Sequence, residues 1–203
     1  VLSVLSAVGT AVDRTQVHHL YPVALPMINS TLDPSCRDRD VCLVEDVLRL
    51  WLVLLRLATS YELHWEKLFC RVKDVLEQDL EHIKILMLIT EGYILLGGAS
   101  FLNVHSSMLQ LVLLLVVGKT KPRGTAYIGL VLEALLRKFP VEGGALLLQG
   151  GIMKLMISSC AANYQNDSSC DPDRVVVLYL TAIARSLLGN PTLLDGVFPV
   201  TSL

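Results

Sequence analysis

Residues able to do chemistry are sparse in this sequence, and their spacing fits none of the common reactive sets. Gly118-Lys119-Thr120 has the form that closes a phosphate-binding loop, in which backbone amides and a lysine cradle a nucleotide. That loop needs a glycine five residues before the one ahead of the lysine, and a strand feeding it, whereas position 113 is Leu113 in an apolar run. A turn that ends a helix accounts for it better. Gly143, Gly144, Gly150 and Gly151 show no G-x-G-x-x-G spacing and read as positions of close helix approach. His18, His19, Cys36 and Cys42 carry metal-ligating atoms, but their gaps match no ligand pattern, and helical geometry sends His18 and His19 to different sides. His64, His82 and His105 stand without a nucleophile and an orienting carboxylate at any readable spacing. The five cysteines (Cys36, Cys42, Cys70, Cys160 and Cys170) are odd in number and contain no C-x-x-C pair, so neither a disulfide framework nor a zinc site is specified. A reducing compartment is the simpler reading. The N-x-S/T patterns at Asn29 and Asn166 matter only in a secreted protein. The expectation is a protein that is no enzyme and holds no metal or cofactor.

Polar residues that recur at helical spacing suggest binding instead. Glu45, Arg49 and Arg56, then Lys84 and Glu91, then Glu133 and Arg137, then Arg174, Thr181 and Arg185 form one set on each of four densely apolar helices. If those helices line one surface, the sets make a mixed-charge wall along which an extended protein partner could lie. The alternative is that some of them bond a neighbouring repeat and serve only the stacking.

The elements that carry these sets are legible from periodicity. Val41–Ala58 is apolar over most of its circumference, as a helix buried on two or three sides must be, and Asp40 is its expected N-cap. Before it, Val1–Val12 reads as the end of a helix, and Thr15–Leu32 as a helix kinked by Pro22 and Pro26 or begun near the first of them. Tyr61–Gln78 is predicted as one amphipathic helix with Leu63, Leu68, Phe69, Val72 and Leu76 inward, and Asp79 as the cap of a helix over Leu80–Leu96. Gly97-Gly98 stops that helix and Phe101–Val117 follows; next come helices over Thr125–Phe139, Gly143–Ala162 and Asp173–Leu188, with a polar loop over Asn163–Asp171. Pro191 sits where another helix would begin. The densely apolar members start near Val41, Leu80, Gly124 and Asp173, about 40 residues apart, the period of HEAT-like helix pairs. The predicted fold is therefore all-α, a HEAT-like α-solenoid of antiparallel helix pairs over 1–203, with repeats near 13–59, 60–97, 98–140 and 141–189. An irregular helical bundle is the alternative.

Composition agrees. Hydrophobic residues make up 53% and charged residues 18%, which excludes disorder, and aromatics at 6% leave leucine and valine to fill the interior. A net charge of -2 gives no basic face for nucleic acid. The run from Gly92 to Gly118 has no charged residue and is long enough to span a bilayer, yet its middle, GGASFLNVHSS, fits two helices meeting at a turn better. The chain starts at Val1 rather than Met and stops at Leu203 soon after a new amphipathic run, so it reads as a piece of a longer protein.

HLYPVALP at His19–Pro26, followed by LVEDVLRLWL at Leu43–Leu52, resembles a helix pair of the importin-β (karyopherin) superfamily of nuclear transport receptors, most closely the importin eleven branch. EGYILLGGASFL at Glu91–Leu102 and VLEALLRKFP at Val131–Pro140 are similar to later helices of that branch, in the same order. Arg49, Arg56 and the apolar Leu111–Val117 depart from its pattern. The resemblance implies a shuttling receptor of nucleus and cytoplasm that binds protein cargo, passes FG-repeat nucleoporins and is governed by the Ran GTPase. In the family, Ran is held mainly by N-terminal repeats that this sequence lacks. The other readings are a HEAT-repeat scaffold without Ran control and a polytopic membrane protein. Cargo and direction of transport are not legible.

Overall fold

Two prolines decide where the first described helix starts. Val17–Leu20 is a 3-10 turn, and helix α1, Tyr21–Thr31, follows with Pro22 in its first turn, where a missing amide costs nothing. Pro26 lies inside α1 and is exposed, so the expected start near the first proline holds. The computed structural model describes residues 17–35, 41–165 and 172–194, and every regular element among them is helical. Val1–Val12, the Asp40 cap and most of the Asn163–Asp171 loop lie outside the described residues; Asn163 itself belongs to a helix.

Helix α2, Val41–Leu57, packs on α1 and buries Val47, Leu48, Trp51, Leu54 and Leu55 almost completely. The predicted helix over Tyr61–Gln78 is instead two short ones, α3 (Leu63–Leu68) and α4 (Cys70–Leu76), with Phe69 between them at right-handed helical angles. The chain thus keeps its course while the hydrogen-bond ladder slips: the Val72 amide bonds the Phe69 carbonyl, three residues back. Leu63 also departs from expectation, being 64% exposed, and Trp65 and Val75 join the buried face instead. Asp79 bonds the Glu81 amide at 2.9 Å and so organises a turn, not a helix end, and the next helix starts only at Ile83.

That helix, α5, runs Ile83–Val116 and is broken at Gly98, whose φ of 55° and ψ of -136° no L side chain adopts without strain. The expected stop at Gly97-Gly98 and restart are both present. By length and composition α5 could cross a membrane, but half of its most apolar window is buried within the protein and the backbone is not helical at Gly98. The pair Pro140–Gln149 and Ile152–Asn163 passes the same test only together, across a 73° bend.

Helix α6, Pro122–Lys138, begins three residues before the predicted Thr125, because Pro122 fits the first turn. Phe139 ends it and Pro140 opens α7, Pro140–Gln149. The single helix predicted over Gly143–Ala162 is divided into α7 and α8, Ile152–Gln165. Its break is Gly151, whose φ of +72° lets the chain bend by 73° between α7 and α8, with nothing near the missing Cβ; Gly151 thus serves conformation, not close approach. Gly144 does allow close approach, since a Cβ there would meet Leu193 at 2.9 Å. Helix α9, Pro172–Gly189, packs on α6, α7 and α8, and a 3-10 turn at Pro191–Leu193 follows it.

The chain forms two compact units, Val1–His105 and Ser106–Leu203. Aromatic residues build the first core. Trp51, Trp65, Phe69, Tyr93 and Phe101 are fully buried there and meet largely edge to face, with centroids 4.8 Å apart for Phe69 and Phe101 and 6.0 Å for Trp51 and Tyr93. The Tyr93 hydroxyl donates to the Trp65 carbonyl at 3.0 Å. Aliphatic side chains dominate the second core, among them Ile128, Val131, Leu135, Leu147, Met153 and Met156.

His105 closes the first core with its ring 5.2 Å from Phe69 and 5.4 Å from Phe101, and its Nε2 is buried without a hydrogen-bond partner among the described residues. Burial lowers its pKa from the ordinary histidine value, with the Glu66 charge acting in the opposite sense. The unfolded imidazole gains its proton near pH 6.5, while the folded one resists until lower pH. Stability from this residue is therefore complete above about pH 6.5 and falls as pH drops toward the folded pKa. His105→Phe should flatten the loss of urea midpoint between about pH 7 and 5 relative to the wild-type protein, and equal slopes would contradict the assignment.

Candidate functional site

The polar stripe of α2 faces one groove of the first unit. Glu45 and Arg49 stand one turn apart, and their ion pair at 2.5 Å is more than half exposed on both sides. With Lys84 of α5, and with Glu81 and His82 just before it, they rim a groove of about 300 Å³ floored by Leu52, Ile85 and Leu88. The rim carries both signs of charge above an apolar base. Arg56 is exposed farther along α2, and Glu91 is half-buried farther along α5; neither lines the groove.

A second groove, of about 240 Å³, lies between α6 and α9 in the second unit. Glu133 and Arg185, 52 residues apart, pair across it at 2.5 Å, and Thr181 lies on the same wall. The Thr181 hydroxyl donates to the Val177 carbonyl at 2.7 Å, so toward a partner it offers only an acceptor. Arg137, in the last turn of α6, and Arg174, near the start of α9, are exposed outside the groove. The structure thus gathers Glu45, Arg49 and Lys84 in one groove and Glu133, Thr181 and Arg185 in another, and leaves Arg56, Glu91, Arg137 and Arg174 apart. Because the Glu133–Arg185 pair is 42% and 46% exposed, Glu133→Gln should cost less than about 1 kcal/mol in a thermal melt. A larger loss would mean that the pair serves the fold.

A larger groove than either, about 540 Å³, was not among the sequence-derived candidates. Tyr21, Pro22, Leu25 and Pro26 of α1 form one side, and His64, Lys67, Leu68, Cys70 and Arg71 of α3 and α4 the other. Arg71 anchors it. Only 15% exposed, its guanidinium donates to Asp33 at 2.8 Å, Asp74 at 2.9 Å and Asn29 at 2.8 Å. Burial opposes the Arg71 charge, but the Asp74 and Asp33 carboxylates outweigh it and raise its pKa. Asp33 is held below the usual carboxylate range, chiefly by hydrogen bonds from Ser35 and then by Arg71. Burial, then the Glu62 charge, pushes the Tyr21 phenol up to about 12, and burial raises the Cys70 thiol, so both are neutral near pH 7. A protonated thiol is no nucleophile. The groove offers shape, apolar surface and fixed hydrogen bonds. The sequence signal for it was Pro22 and Pro26, one turn apart on an exposed face.

Of the residues read as standing alone, His64 lies 3.5 Å from the Glu62 carboxylate and shares its groove with Cys70, and His82 rims the groove of Glu45 and Arg49. The rings of His18 and His19 do not diverge but lie 4.0 Å apart on the 3-10 turn, both exposed. Among the described residues no three His, Cys, Asp or Glu side chains converge as metal ligands; Cys36 and the Cys42 side chain lie outside them. Leu113, where a phosphate loop needs glycine, is buried in α5.

The family model described as importin-11-like, TPR repeats, matches residues 1–197. No curated protein and no solved structure matches the chain.

Proposed function

The chain belongs to the importin-11-like family of nuclear transport receptors, and from that premise we propose that it carries protein cargo through the nuclear pore under control of the Ran GTPase. The family match over residues 1–197 is the observation that carries this reading. The protein acts by binding alone, without catalysis or cofactor, and shuttles between nucleus and cytoplasm. Cargo lies along the mixed-charge grooves at Glu45, Arg49 and Lys84 and at Glu133, Thr181 and Arg185, where charges of both signs select a partner's register and an apolar floor supplies affinity. Ran is engaged chiefly through N-terminal repeats of the kind the family carries. FG-repeat nucleoporins make brief apolar contacts, for which the groove of Tyr21, Pro22, Leu25 and Pro26 offers apolar surface.

Helical repeats suit this task because each touches mainly its neighbours, so small rotations add up and couple distant sites. Charge reversal tests the cargo surface: Arg49→Glu, Lys84→Glu and Arg185→Glu, all groove residues, in one variant of the full-length protein. A bound cargo should be weakened by at least about tenfold with the circular dichroism spectrum unchanged. If every cargo kept its affinity in that folded variant, the grooves would be structural only.

A further inference from the structure

Outside the grooves described above, the turn between α5 and α6 concentrates positive charge on a chain whose net charge is -2. Lys119, Lys121 and Arg123 fall within five residues, and all are exposed. None makes an ion pair among the described residues, in contrast to Arg49, Arg71, Lys73 and Arg185, each held by a carboxylate. The turn that presents them is fixed. The Gly118 amide donates to the Tyr179 hydroxyl at 3.4 Å, the Thr120 and Thr125 hydroxyls bond at 3.2 Å, and Thr125 also bonds the Lys121 carbonyl. Pro122 in the first turn of α6 restricts the backbone further. The cations thus sit on a preformed support, and little backbone entropy remains to be lost on binding.

We propose that this turn is a docking point for an acidic, extended segment of a partner protein, with carboxylates at alternate positions. Residues 119, 121 and 123 run through a turn into the start of α6, so their backbones lie closer than the roughly 14 Å of an extended chain, and the length of the Lys and Arg side chains lets them reach carboxylates two residues apart on an extended strand. Three like charges lying this close act together at physiological salt, where the screening length is about 8 Å. The count also argues against nucleic acid. Three cations release few counterions from a phosphate backbone, whereas the rest of the surface carries a net negative charge that repels a long polyanion. Contacts of this exposed kind chiefly raise the association rate and set the register of a larger complex.

The test measures fluorescence anisotropy of a labelled peptide of alternating glutamate and serine with the intact protein. Three proteins are compared over a salt series: wild type, K119Q/K121Q/R123Q, and the control K73Q/K138Q/K154Q, which removes the same charge elsewhere. The loop variant should bind the peptide about tenfold more weakly and lose most of its salt dependence, while the control changes less than about twofold. Equal weakening in both variants would reduce the effect to net charge and overturn the proposal, as would unchanged binding by the loop variant. Tighter binding of a single-stranded oligonucleotide than of the peptide, lost in the loop variant, would also overturn it and assign the turn to nucleic acid.

Discussion

Trp65→Ala is expected to destabilise the first unit by about 4 kcal/mol, the upper range for removing a large aromatic side chain from a close-packed interior. Trp65 has no exposed surface, and its ring meets Tyr21 at 5.3 Å and Tyr93 at 6.3 Å, both edge to face. Each such pair contributes about 1 kcal/mol beyond the area it buries. One effect offsets the loss: the indole Nε1 is buried without a partner among the described residues, and deleting it removes an unsatisfied donor. Trp65→Phe, which keeps a ring and discards that donor, should therefore cost less than half as much. Both tryptophans, Trp51 and Trp65, lie in the Val1–His105 unit, so urea denaturation followed through Trp51 fluorescence in the variants reports on that unit. A loss under about 1 kcal/mol would mean that the aromatic cluster is not its core.

Gly98→Ala should cost about 2 kcal/mol, and more if the backbone cannot adjust. The strain is local: φ of 55° with ψ of -136° lies where a Cβ meets its own backbone, so the cost arises even without a neighbouring clash. Alanine, the best helix former, would also favour a straight course through the break. A straight α5 would carry Phe101, Leu102 and His105 away from the side chains they now meet, among them Phe69 against both Phe101 and His105. Ser100→Ala, two residues on at an exposed site, should change stability by less than about 0.5 kcal/mol and serves as the control. If the two variants melted together, the break would be an accident of the sequence and not a requirement of the fold.

Much of this architecture was readable from spacing alone, because Gly, Pro and a 3.6-residue apolar period act locally. Pro22, Gly98, Pro122 and Pro191 each mark a boundary within a few residues of where the chain makes one. The misplaced features depend on what lies opposite. Leu63 fits the apolar face of an ideal helix, but the ladder slips at Phe69 and Trp65 takes the interior. Gly151 looked like a contact glycine because sequence does not show φ. The groove of about 540 Å³ depends on distant partners too: Arg71 lies off the predicted apolar face of the 61–78 helix, and only its meeting with Asn29 and Asp33, some 40 residues earlier, makes it a fixed wall. Helices α2, α5, α6 and α9 start 42, 39 and 50 residues apart, the first two close to the roughly 40–47 of HEAT units and the third longer, and all longer than the roughly 34 of a TPR, although the family description uses the latter word.

Six of the ten polar residues chosen by periodicity meet in two grooves, since a helix stripe fixes direction but not what stands across from it. Arg185 illustrates this. Its place on α9 was readable, whereas its carboxylate partner on α6 was not.

Capture with the full-length protein as bait in detergent-free extract, with and without Ran locked in its GTP form, tests the transport function most directly. Proteins held without Ran and released by it would be import cargo, and proteins recruited only with it would be export cargo; either result is the one predicted. A retained set that Ran neither binds nor alters would contradict transport and leave a helical-repeat scaffold.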